Sequence, residues 1–180
     1  MKILGIVGGV HREGNTTKLV EAVLDGARKA GNETKLVKLV ELNFDHMHEK
    51  DGKWVFPDDE MAKLYSFIEG MGGFVLGAPI YFGQVDSRTM KFIERLYYWS
   101  QSHGEEYVAK FPKNVKAVNC ITFGQSDAAA YNKVLDWLVG IEKGRGMVNH
   151  GNIVAEATRS KPVNSRTDLI EKAIMLGKSF

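Results

Sequence analysis

The chain has 180 residues, 44% of them hydrophobic and 26% charged, the balance of a soluble globular protein, so one domain over residues 1–180 with a sizeable core is expected. A formal net charge of +2 without a long basic run argues against a nucleic-acid partner. No apolar run approaches the roughly 18 residues of a membrane span, and the chain enters a strand at once instead of a secretory leader, so no membrane partner and a cytoplasmic location are expected.

Residues 2–7 (KILGIV) form an apolar run of strand length that stops at Gly8 and Gly9. A polar turn with His11 and Arg12 follows. Asn15, Thr16 and Thr17 then open a helix over about residues 16–30, apolar at Leu19, Val20, Val23, Leu24 and Ala27 and closed by Gly31-Asn32. A strand, a glycine loop and a helix N-terminus aim free N–H groups and the positive end of the helix dipole at one spot. That is a phosphate cradle, with Asn15, Thr16 and Thr17 as side-chain donors. An ordinary capped strand-to-helix turn is the alternative. Residues 9–16 nearly spell the G-x-x-x-x-G-K-[ST] loop of nucleotide hydrolases, but Asn15 holds the lysine's place, and the G-x-G-x-x-G dinucleotide fingerprint is missing. The loop reads as a site for a single phosphate.

Further along, residues 34–40 read as a strand near a sheet edge, and residues 43–57 as polar and irregular. Asp58-Asp59 starts a helix carrying Met61, Leu64, Tyr65 and Ile68. Residues 73–78 are a short apolar strand, 79–86 a loop, and 87 to about 100 a helix. Residues 101–114 look like a connection. A fourth strand over 115–122, a loop over 123–127, a helix from 128 to about 141, a fifth strand over 147–157 and a closing helix over 164–177 complete the chain. Cys120 is the only cysteine; within the fourth apolar strand it reads as a buried, inert thiol.

Five strands alternating with five helices imply a three-layer α/β fold, a five-stranded parallel sheet with helices on both faces. At this size the flavodoxin-like order 2-1-3-4-5 is expected, with a ligand beyond the carboxyl ends of the strands, where the loops from Gly8 and Pro79 meet.

These two loops carry a resemblance. Gly8-Gly9-Val10-His11-Arg12-Glu13-Gly14-Asn15-Thr16 is similar to the G-S-x-R-x-x-[GS]-N-[ST] opening of the flavodoxin-like NAD(P)H-dependent FMN reductases and iron–sulfur flavoproteins. Ala78, Pro79, Tyr81, Gly83, Lys91, Glu94 and Arg95 match that family's second signature, [SA]-P-x-Y-x-[GS]-x-x-[ST]-x-x-x-K-x-x-x-[DE]-R, with Asp86 at the hydroxyl position. The resemblance implies a first loop holding the FMN phosphate through Gly9, His11, Arg12, Asn15, Thr16 and Thr17. It also implies Pro79, Ile80, Tyr81, Phe82 and Gly83 along the isoalloxazine, and Thr122, Phe123, Gly124 and Gln125 on its other side.

Three departures matter. Gly9 replaces a serine donor, His11 stands where an arginine is expected, and Arg12 is one place along. The iron–sulfur members carry a cysteine cluster after the second strand; residues 44–54 contain no cysteine, so no iron–sulfur cluster is expected. His46 and His48 in that stretch read as solvated before they read as metal ligands, and no metal is expected. Trp54 and Phe56 would cover the ring, meet a partner or anchor their own loop. Tyr97-Tyr98-Trp99 cannot all face one core on an α-helix, where neighbours point about 100° apart, which favours an oligomer interface there.

The function implied is an enzyme: FMN-dependent oxidation of NAD(P)H, with electrons passed in ping-pong fashion to a quinone-like or other small acceptor, by a homodimer or homotetramer. No catalytic acid or base is singled out. The runner-up is a one-electron carrier or redox-partner module; a flavin binder whose redox activity has lapsed is a third reading. A phosphatase of the C-x-x-x-x-x-R type fails because the sixth residue after Cys120 is Ser126.

Overall fold

The expected apolar runs become five parallel strands, in a computed structural model that describes residues 1–180 apart from the side chains of Ala128 and Ala130. In chain order the first elements are β1 (Lys2–Val7), α1 (Asn15–Lys29), β2 (Glu33–Lys38), β3 (His48–Lys50), β4 (Lys53–Val55), α2 (Tyr65–Glu69) and β5 (Met71–Tyr81). There follow β6 (Gln84–Val85), α3 (Ser87–Arg95), α4 (Glu105–Lys110), β7 (Lys116–Thr122), α5 (Asn132–Gly144), β8 (Val148–Ala155) and α6 (Thr167–Lys178). The parallel strands lie in the order β2-β1-β5-β7-β8, which is 2-1-3-4-5 once the short hairpin strands are set aside. The fold is flavodoxin-like, as expected.

Alternation along the strands separates two cores. Leu4, Ile6, Phe74, Leu76, Ala117 and Ile121 share a cluster with Phe92 of α3 and Leu138 of α5. Ile3, Val7, Val75, Val118, Cys120 and Ile153 share the other with Leu19, Val20 and Val23 of α1 and Ala173 of α6. Helices therefore cover both faces. Helix α1 lies close on the sheet because Gly5 and Gly77 are bare beneath it: a Cβ at either would come within 2.7 Å of Leu24 or 2.5 Å of Val20.

Several boundaries differ from the sequence reading. The stretch 43–57 contains a hairpin, β3–β4, turned by Asp51 and Gly52 with positive φ (52° and 74°). An Asp-Gly pair between strands is a strong signal for that mirror-image turn; the charge of the segment hid it. The segment 79–86 is not all loop, because β5 runs to Tyr81 and folds back on β6 through a two-residue turn at Phe82 and Gly83 (φ 50° and 77°). The connection 101–114 contains the short helix α4.

Candidate functional site

At the carboxyl end of β1 the backbone N–H groups of residues 9–17 find no acceptor among the described residues. Three of those residues open α1, a 15-residue helix, where the first N–H groups have no intrahelical carbonyl to bond. Gly9 supplies the turn with φ +85°; a Cβ there would lie 2.8 Å from the Pro79 ring, so the first loop and the end of β5 touch directly. The loop is braced from below. The Thr17 hydroxyl is fully buried and donates to the Arg12 carbonyl at 3.1 Å. Asn15 Oδ1 accepts the backbone N–H of Val163 at 2.8 Å.

Asp86 forms the second brace. Its carboxylate caps α3, accepting the N–H groups of Arg88 and Thr89 at 3.0 and 3.2 Å and the Thr89 hydroxyl. Gly8 packs on this cap so closely that a Cβ would fall 1.9 Å from Thr89 Oγ1 and 2.4 Å from Asp86 Oδ2. An acid at the place of the family's hydroxyl is thus a helix cap that seats the first loop.

The third wall follows β7. The hydroxyls of Thr16 and Thr122, both buried, are 2.7 Å apart and join the start of α1 to the end of β7. The chain after β8 is stitched to the same wall. Ala157 donates to the Gln125 carbonyl at 2.6 Å, and Thr158 donates to the Phe123 carbonyl through its N–H and its hydroxyl, each at 3.0 Å.

Between these walls lies an open cleft of about 350 Å³, at the lower end of the range for small-molecule sites. It is placed at the switch point between β1 and β5, where a parallel α/β sheet offers a crevice. Of the residues expected to form a site, the structure brings Gly9, His11, Asn15, Thr16, Pro79, Tyr81, Thr122, Phe123, Gly124 and Gln125 to its lining. Five others lie off the lining. Arg12 is turned outward to Glu41, 3.6 Å away. Thr17 braces the loop, and Ile80 is packed in the core. Phe82 stands fully exposed at the hairpin tip beside the exposed Gly83.

Sequence reasoning missed Tyr131, Thr158 and Arg159, which also line the cleft. The fifth strand was drawn through residue 157, whereas β8 ends at Ala155 and Ala157 adopts φ +54°, which turns the next residues towards the cleft. The rule that placed the other loops at strand carboxyl ends applies here too and was the available signal. Tyr131 packs against Phe123 with ring centroids 4.2 Å apart.

The matched signature residues Lys91 and Arg95 do other work. Lys91 donates to the Phe44 carbonyl. Fully buried Arg95 bonds Asp59 at 2.6 and 3.2 Å, the carbonyls of Asp45 and Pro57 at 2.8 and 3.0 Å, and the Tyr65 hydroxyl at 2.9 Å. Burial alone would raise the Asp59 carboxyl; the hydrogen bonds from Arg95 and from the Asp45 N–H outweigh it and hold Asp59 below the usual carboxylate range. Trp54 and Phe56 are anchors of their own loop, edge-on to Tyr97 and Tyr98 at 5.6 and 5.3 Å. The aromatic trio points to different sides of a 3-10 turn over Leu96–Trp99. Trp99 is then buried, with Tyr97 and Tyr98 half-buried under that loop. His46 lies 3.2 Å from Glu94. Cys120 is fully buried, and burial pushes its thiol up to about 12.

Residues 1–133 match the model of a protein family described as NADPH-dependent FMN reductase. An iron–sulfur flavoprotein of Methanocaldococcus jannaschii is 31% identical over 100 residues, which make up 53% of this chain and 51% of that protein. The chain thus spans about half the length of this relative. Among solved structures, the NAD(P)H:quinone oxidoreductase from Methanothermobacter marburgensis superposes with a TM-score of 0.76 at 13% identity, covering 99% of this chain and 95% of that one. The Trp repressor binding protein from Bacillus subtilis superposes with a TM-score of 0.71 at 19% identity, covering 97% and 99%. A flavodoxin from the domain Archaea gives 0.62 at 13% identity, covering 99% and 95%. At these identities the superpositions speak for the shared fold.

Proposed function

The chain belongs to the NADPH-dependent FMN reductase family, a family of flavin-dependent oxidoreductases, and from that premise we propose that it oxidises NAD(P)H with FMN held in the cleft described above. The carrying observation is the set of N–H groups of Gly9, Gly14, Asn15 and Thr16, residues that line the cleft, are buried or half-buried, and find no acceptor among the described residues. Buried or half-buried backbone donors normally find partners, and an oxyanion is the partner that suits a concave run of them. The donor set fits a flavin phosphate: Gly9 lets the backbone approach closely, and Asn15 and Thr16 stand on the same wall with His11. Pro79 and Tyr81 would run beside the ring system, with residues 122–125 opposite.

When bound, FMN supplies the capacity to accept a hydride from a reduced nicotinamide and to pass the electrons to an acceptor. The chain's own residues position and shield. Asp86, Thr89, Thr16 and Thr122 fix the walls through buried hydrogen bonds, so the cleft is formed in advance. Tyr81 is 46% exposed and Phe82 wholly so; at the mouth they are placed to cover a bound ring and exclude water. Among the described residues no acidic side chain lines the cleft, and no catalytic acid or base is assigned. Donor and acceptor would enter the same opening in turn, which gives ping-pong kinetics with a quinone-like or other small acceptor. We place the enzyme in the cytoplasm as a homodimer or homotetramer, without an iron–sulfur cluster.

The test is the absorption spectrum of FMN-loaded protein before and after anaerobic NADH or NADPH. Bleaching of the flavin band, with a primary isotope effect from 4-deuterated nucleotide, is expected. Protein that binds FMN and is bleached by dithionite but by neither nucleotide refutes the enzyme and leaves a carrier. Equal affinity for FMN and riboflavin removes the phosphate cradle itself.

A further inference from the structure

The cleft contains a cation that the first loop does not supply. Of the two basic side chains in that loop, Arg12 is engaged with Glu41, and the adjacent Glu13 pairs with Lys38, which also lies 3.8 Å from Glu21. This ion-pair network holds the loop's charged side chains on its outer side. The guanidinium at the cleft is Arg159, which arrives from the far end of the chain.

Its placement is built. Ala157 is held at φ +54°, a left-handed conformation that costs a residue with a Cβ about 1 kcal/mol. Its carbonyl accepts the N–H groups of Ser160 and Lys161 at 3.0 and 2.8 Å, closing a tight turn with Arg159 inside it. That turn is fastened to the Gln125 and Phe123 carbonyls on one side and, through Val163, to Asn15 on the other. The Arg159 side chain lies across Gly124, where a Cβ would meet its Nε at 3.0 Å and its Cγ and Cδ at 3.3 Å. Among the described residues no acid lies within 4 Å of it, whereas Arg166, seven residues on, is paired with Glu156 at 3.3 Å. An exposed arginine on a fixed turn, beside a cleft with no acid among its described lining residues, is arranged to meet an anion.

We propose that Arg159 is a specificity-determining residue that recognises a phosphate monoester bound in this cleft, a role for which Arg12, off the cleft lining and turned towards Glu41, is less well placed. The inference rests on the flavin-site reading for its first choice of ligand, the 5′-phosphate of FMN, favoured because the Arg159 turn is bonded to Asn15 of the first loop. The same chemistry is offered by the 2′-phosphate of NADPH. A guanidinium meets either through paired N–H donors that an ammonium does not reproduce.

The experiment compares wild type, Arg159→Ala, Arg159→Lys and Arg12→Ala. Apoprotein is titrated with FMN and with riboflavin by flavin fluorescence, and FMN-loaded protein with NADP⁺ and NAD⁺ by calorimetry. Arg159→Ala is expected to weaken FMN binding at least tenfold and leave riboflavin within twofold, with Arg159→Lys between and Arg12→Ala close to wild type. The loss should shrink in high salt, because the group is exposed. An unchanged FMN preference with a tenfold loss of NADP⁺ over NAD⁺ would also support the proposal and identify the nucleotide as the source. No change in either ratio, or a loss that follows Arg12 instead, overturns it. Inorganic phosphate, followed through the amide resonances of Gly9 and Gly14, separates the two readings. If wild type binds no flavin but binds phosphate more tightly than Arg159→Ala, the flavin reading falls and this one stands. Equal phosphate binding by both proteins, without an effect on the nucleotides, sinks it.

Discussion

Glu142 offers the clearest test of the energetics of this fold. It lies on α5, 3% exposed, with Oε2 accepting one hydrogen bond from Asn119 Nδ2 at 3.2 Å and Oε1 without a partner among the described residues. Burial pushes its carboxyl up to about 7, against the hydrogen bond donated by Asn119. The folded chain therefore holds this proton at a higher pH than the unfolded chain, whose glutamate titrates at about 4.5. Stability associated with the protonated group is fully present below pH 4.5 and is lost as pH rises through about 7. The difference of about 2.5 pH units at 1.36 kcal/mol each corresponds to about 3 kcal/mol.

Glu142→Gln mimics the protonated carboxyl, keeping an acceptor for Asn119 and placing a donor where Oε1 is orphaned. The variant should match wild type near pH 4.5 and exceed it by up to about 3 kcal/mol at pH 8. With a urea m-value of about 2 kcal/mol/M, the midpoint would move up by about 1.5 M. Urea unfolding of both proteins at pH 5, 6, 7 and 8, followed by far-UV circular dichroism, measures the difference and cancels the other titrating groups. A difference that stays flat across this range, or a variant less stable at pH 8, refutes the reasoning.

Asp59→Asn should cost about 3–5 kcal/mol at pH 7, because it leaves the fully buried Arg95 guanidinium without its counter-charge; denaturant titration reads this, and a loss under 1 kcal/mol would contradict the buried pair. Gly177→Ala places a Cβ 1.9 Å from the Val23 carbonyl, and Gly26→Ala one 2.1 Å from that of Ile174, so each should push α1 and α6 apart and cost about 1–3 kcal/mol. Thermal unfolding checks both, and a melting temperature within 1 °C of wild type would show that the helices do not touch there.

The strand order was legible because buried parallel strands leave short apolar runs, as at residues 73–78 and 115–122, and because the alternation with helices admits few topologies. The two loops at the switch point were legible for the same reason. What was not legible depends on contacts distant in sequence. Nothing near Arg12 says that Glu41 will hold it outward, and nothing near Arg159 says that Gly124 will lie beneath it. The turn at Phe82 and Gly83 was hidden because phenylalanine seldom adopts positive φ. The trio Tyr97-Tyr98-Trp99 does point in different directions, and part of the side away from the core is covered by a segment distant in sequence, where Trp54 and Phe56 pack on Tyr97 and Tyr98.

The conserved-looking spacing of the second signature then acquires a mechanical reading. Its tyrosine and glycine belong to the β5–β6 hairpin at the cleft, but its lysine and arginine stand further along α3, facing residues 43–59. One nine-residue helix thus has two tasks. At its start Asp86 and Thr89 seat Gly8 and so fix the loop of free N–H groups. Towards its end Lys91 and Arg95 gather four points of a segment with little apolar surface of its own, at Phe44, Asp45, Pro57 and Asp59. That segment cannot pack itself, since of its residues only Phe44 joins the core, so its order depends on a buried guanidinium whose desolvation is offset by the hydrogen bonds of its two terminal nitrogens. The same rigid helix that shapes the cleft therefore carries the polar network that fixes the neighbouring segment, and a spacing that looks like a redox signature is in part the spacing of a structural beam.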